Sequence, residues 1–136
     1  MALDEHKEFT FEREVMKPIQ TILDLVMEDE LQNNEWNIRF EQDNLQIAVS
    51  PNVKQLIDTA RNNRKNVAIF LNSIYFSAIM EAVNVIKYSN EYEDFKWCRV
   101  VRQKCANEGI SIDNEFSYNV TQKLLKQPFG LLKTHV

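Results

Sequence analysis

Residues 67–88, VAIFLNSIYFSAIMEAVNVIKY, hold 16 apolar residues in 22. A run so apolar must be a membrane span, a buried element or a surface for another chain. A spanning helix needs about 20 predominantly apolar residues, so length alone would allow one. The six polar exceptions decide against it: Asn72, Ser73, Ser77, Glu81, Asn84 and Lys87. Glu81, Asn84 and Lys87 crowd the second half, and a charge near the bilayer centre costs about 2.5–3.5 kcal/mol on insertion scales. Ser73, Ser77, Glu81 and Asn84 recur at spacings of four, four and three, which on a helix draws one narrow polar stripe. The preceding VAIFL suits a strand buried on both faces. We therefore expect a strand over 67–71, a cap at Asn72 or Ser73 and a helix over 74–88 that packs centrally. The alternative is one helix throughout 67–88.

Around this stretch the pattern is mixed. EFTFEREV, residues 8–15, alternates weakly like a strand. After Pro18, Ile19, Ile22, Leu23 and Val26 fall at helical spacing, although Glu28, Asp29 and Glu30 would oppose that helix's dipole. Trp36, Ile38 and Phe40 alternate with polar residues, as do Leu45, Ile47 and Val49, with Gln42-Asp43-Asn44 between them as a turn. This predicts a β-hairpin with Trp36, Ile38 and Phe40 on its core face. Ser50-Pro51 reads as an N-cap followed by proline at the first helical position, opening a helix over 52–62. Strand 45–50, that helix and strand 67–71 would form a βαβ unit. Asn90 and Glu93 have capping-box spacing at the start of a helix running to Glu108, with Phe95, Cys98, Val101 and Cys105 as its apolar face and Gly109 as its stop. A last helix over about 114–126 should pack through Phe116, Val120, Leu124 and Tyr118, with Pro128 beyond it. The expected fold is α+β or mixed α/β, one domain over 1–136: a small sheet built on a hairpin plus one buried strand, against four to five helices.

Composition narrows function mostly by exclusion. A net charge of −4 speaks against a nucleic-acid binder. Two glycines in 136 residues leave no phosphate-cradling loop of the common kinds. Charges begin at Asp4, so no secretory signal is read at the N-terminus. Cys98 and Cys105 would lie about 10.5 Å apart along one helix, too far to bridge, which suggests free thiols and a reduced, cytoplasmic setting. His6 and His135 sit at opposite ends, so imidazole-dependent catalysis would need a terminus to fold back. No cofactor and no metal are expected.

Two functional readings remain. In the first, the protein is a non-enzymatic interaction or assembly module, self-associating or binding a protein partner. Its surface would be the apolar 67–88 region or the tail FGLLKTHV, whose last residues have the Thr-x-Val shape that β-augmenting domains capture. In the second, it binds a small ligand or anion, or is an enzyme. The helix starts at Ser50/Asn52 and Asn72/Ser73 would lie side by side at the carboxyl ends of parallel strands, with Glu81 as the charged member. A Glu81 buried on an apolar helix would need a partner such as Arg99 or Arg102. The run Glu91, Glu93, Asp94 followed by Lys96, Arg99, Arg102 and Lys104 is explained by complementarity to a helix dipole.

Overall fold

The structure, a computed structural model, describes residues 19–33, 35–60 and 64–125. Residues 8–15, both histidines and the tail from 126 lie outside them. A short 3-10 turn, Ile19–Ile22, leads into strand β1, Leu23–Met27. β2, Trp36–Arg39, and β3, Leu45–Val49, form the expected hairpin. Four helices follow: α1, Pro51–Ala60; α2, Arg64–Tyr88; α3, Lys96–Asn107; and α4, Ser117–Leu124. The fold is α+β with a three-stranded mixed sheet in the order β1-β3-β2.

The sheet differs from expectation at one strand. β1 occupies the place reserved for a helix after Pro18 and pairs in parallel with β3, Leu23 opposite Leu45 and Met27 opposite Val49. Leu23, Leu25 and Met27 alternate as well as Ile19, Ile22, Leu23 and Val26 space helically, and as a strand they flank β3. The acids that would have opposed a helix dipole lie instead in the connection, where Glu28 meets Arg39 at 2.9 Å. This connection crosses the end of β3: the Glu28 N–H donates to the Val49 carbonyl and the Ser50 N–H to the Glu35 carbonyl.

The second difference is larger. Residues 67–71 are not a strand, because α2 runs unbroken through them and the βαβ unit does not exist. Neither glycine nor proline occurs between Asn52 and Glu108. Nothing there relieves a strand-to-helix reversal within two residues, and a helix once nucleated gains a hydrogen bond with each further residue. The Ser77 hydroxyl donates to the Ser73 carbonyl one turn back, inside the helix.

The core is one cluster. Ala78, Ile79, Ala82, Val83 and Ile86 form the buried face of α2, and Leu45, Ile47 and Val49 are fully buried in β3. Trp97 bolts α3 to the hairpin: its backbone N–H donates to the Asp43 carbonyl at 2.8 Å and its Nε1–H to the Phe40 carbonyl at 2.7 Å. Phe40, Tyr92 and Phe95 gather around it. α3 begins at Lys96, later than the Asn90 spacing suggested; residues 91–94 form a turn before it. It ends as expected. Gly109 has φ +70, Ile110 N–H reaches the Cys105 carbonyl and Gly109 N–H the Ala106 carbonyl, the paired bonds of a Schellman stop.

α4 packs through Val120, Thr121 and Leu124. Phe116 and Tyr118 do not join it. They are 70% and 51% exposed and stack on each other in solvent. Glu115 holds this corner together: it accepts from Lys123 and from the Ser111 N–H, while its carbonyl accepts from Lys87 of α2. The Lys123 hydrogen bond, aided by the Ser111 amide, keeps the Glu115 carboxyl below its ordinary pKa. Among the described residues no helix is long and apolar enough to cross a membrane.

Candidate functional site at the open edge of the sheet

Of the residues proposed from sequence for an anion site, only Ser50 and Asn52 sit at a helix start. The Ser50 hydroxyl donates to Asn52 Oδ1 at 2.5 Å and accepts from the Val53 N–H at 3.4 Å. Ser50 is fully buried, and its backbone carbonyl takes the Lys54 N–H, so these groups are spent on capping α1. Asn72 and Ser73 lie in the interior of α2, where the backbone N–H groups are used by the helix ladder. The pair of adjacent N-termini therefore lacks its second half. Glu81 is exposed, not buried, so burial imposes no need for Arg99 or Arg102.

Glu81 nevertheless has a place. With Trp36, Asn37, Ile38 and Phe40 it lines a shallow, open hollow of about 220 Å³ along β2. Among the described residues only β3 pairs with β2, which makes β2 an edge of the sheet, as β1 is on the other side. In an antiparallel pair, backbone groups point alternately toward and away from the neighbour. Glu35 bonds Ser50 beyond the end of β3, so Glu35, Asn37 and Arg39 turn their amides and carbonyls inward, and Trp36, Ile38 and Phe40 turn theirs outward.

The outward groups are unevenly served. The Phe40 carbonyl is taken by Trp97, and the Ile38 N–H by the side chain of its neighbour Asn37 at 3.0 Å. The Trp36 N–H, the Trp36 carbonyl and the Ile38 carbonyl have no hydrogen bond among the described residues. Here the sheet is open for the length of about one residue pair.

The side chains at this edge are apolar on one face. Trp36, Val49 and Met27 lie opposite one another across the three strands, and Trp36 is 43% and Met27 52% exposed while Val49 between them is fully buried. The Trp36 ring is thus at the margin of the core, not inside it as its alternation with Ile38 and Phe40 implied. Alternation fixes which face a residue points to. How far the covering layer extends over that face depends on α2. On the opposite face of β2, Asn37, Arg39 and the preceding Glu35 are exposed and polar.

Sequence reasoning found Glu81 but for a different site, and it missed Asn37 and the outward backbone of Trp36 and Ile38. An edge is a property of strand order, which depends on β1 pairing with β3 across a separation of 22 residues, Leu23 with Leu45. The remaining titratable groups offer little chemistry. Cys98 and Cys105 are buried free thiols. Burial pushes both above the ordinary thiol pKa, Cys105 to about 12, so neither is a ready nucleophile. Among the described residues no three His, Cys, Asp or Glu side chains gather as metal ligands would. Comparison with protein-family models, curated proteins and solved structures finds no match to this chain.

Proposed function

We propose that this protein is a non-enzymatic assembly module of the cytoplasm that associates with copies of itself. The observation carrying this reading is the β2 edge, where unused backbone hydrogen-bonding groups adjoin a half-exposed tryptophan and an open hollow of mixed polar and apolar lining. Sheet edges of this kind are templates for pairing with another chain, and aromatic residues at the margin of a core are the common anchors of such contacts. Two buried thiols of raised pKa and the self-sufficient caps at Ser50 and Asn52 add no catalytic group or ligand cradle that would favour an enzyme.

Light scattering coupled to size exclusion, over micromolar concentrations, tests the reading. The expected mass is twice the 16.1 kDa of the chain. A mass of one chain throughout that range overturns it.

A further inference from the structure

The hydrogen bonds already made along β2 restrict what can pair with it and in which register. Phe40 has lost its carbonyl to Trp97, so an incoming strand must stop before it. Trp36 and Ile38 keep both of their outward groups for a partner strand, and together they offer two N–H donors, that of Ile38 by giving up its Asn37 cap, and two carbonyl acceptors. A second copy of the same edge, run antiparallel, offers the same four.

We propose that two copies of this chain pair β2 with β2 about a two-fold axis at Asn37, joining their three-stranded sheets into one continuous sheet. The proposal rests on the assembly reading above and names the surface that performs it. In this register Trp36 of each copy faces Ile38 of the other as a hydrogen-bonded pair, and all eight outward groups are used. Shifting the register to place Ile38 opposite Ile38 would set Trp36 against the Phe40 carbonyl that Trp97 occupies, so that alignment loses a bond on each side.

Charge selects the same register. Arg39 of one copy lies opposite Glu35 of the other, and both side chains are exposed on the polar face of β2. Arg39 already meets Glu28 within its own chain, but a guanidinium presents five donors and accepts a second carboxylate. On the apolar face each Trp36 ring comes to rest beside Ile38 of the other copy, over the hollow that borders Glu81. The Asn37 side chain, which now caps the Ile38 N–H, is released when the second strand takes that donor.

A two-fold axis at Asn37 makes this residue its own neighbour, in a non-hydrogen-bonded pair with Cα atoms about 4.5 Å apart. That distance lies within the range a disulfide spans. The Asn37→Cys variant, under mild oxidation, should form a covalent dimer nearly completely, whereas Glu91→Cys, exposed in the turn before α3, should not. Since Cys98 and Cys105 are buried, the introduced thiol is the one that reacts. Glu35→Arg should weaken association at least about tenfold by setting like charges opposite, and adding Arg39→Glu should restore most of it. A dimeric wild type whose Asn37→Cys variant does not cross-link and whose mass ignores the charge changes overturns this interface and leaves the assembly reading standing. Equal cross-linking of Asn37→Cys and Glu91→Cys also overturns it. A monomeric wild type overturns both.

Discussion

At the scale of single residues, the two tryptophans have opposite roles. Trp97 is fully buried and gives two hydrogen bonds to the hairpin, one from its backbone and one from its ring. Trp97→Ala should cost about 3–5 kcal/mol, the usual range for emptying an aromatic core site. Trp97→Phe keeps much of the volume but leaves the Phe40 carbonyl without its donor, a loss of about 1–3 kcal/mol. Trp36→Ala, at a position 43% exposed, should cost the folded chain only about 1–2 kcal/mol. Urea titrations of the three variants give the order directly; a Trp36→Ala loss equal to that of Trp97→Ala would place the ring inside the core after all. The thiols make a second residue-scale prediction. Cys105 titrates near 9.0 when ordinary and at about 12 when folded. A raised native pKa means its contribution to stability is intact below about pH 9 and is lost as the pH climbs toward 12. Native protein at pH 8 should resist iodoacetamide at both cysteines, and denatured protein should take up two labels per chain. Rapid labelling of Cys105 in the native state would contradict its burial.

At the scale of elements, α2 shows why part of this fold could be read from sequence and part could not. The hairpin was legible because apolar and polar residues alternate on both sides of Gln42-Asp43-Asn44. The start of α1 was legible from Ser50-Pro51, and the end of α3 from Gly109, since each rests on local backbone chemistry. A five-residue apolar run carries no periodicity with which to tell a buried strand from a buried helix turn. The same ambiguity hid β1, whose residues fit both periods, and only pairing with β3 settles it. With α2 continuous, the proposed anion site lost Asn72 and Ser73, because a cap exists only where a helix begins. Ser73→Pro distinguishes the two arrangements. At the first position of a helix proline is tolerated, but in a helix interior it costs about 3 kcal/mol or more. Ser73 is exposed, so the loss would not come from packing. A melting profile matching that of the wild type would show that a helix starts there.

At the scale of the whole molecule, the arrangement follows from β3. It lies between β1 and β2 with Leu45, Ile47 and Val49 fully buried beneath the helices. Glu28 and Glu35, bonded to Val49 and Ser50, close one end of the sheet, and Trp97 closes the far end of the hairpin. Among the described residues the β2 edge at Trp36 and Ile38 is open, and the self-assembly proposed for this protein depends on that opening being used. Hydrogen exchange of individual amides, measured well above and well below the dissociation constant, tests this most directly. The Asn37 and Arg39 amides point to β3 and should be protected at both concentrations. The Trp36 amide points outward without a partner among the described residues and the Ile38 amide is held only by the exposed Asn37 side chain, so both should gain protection at high concentration, when a second copy accepts their hydrogen bonds. Exchange at Trp36 and Ile38 that is equally fast at every concentration would contradict the account.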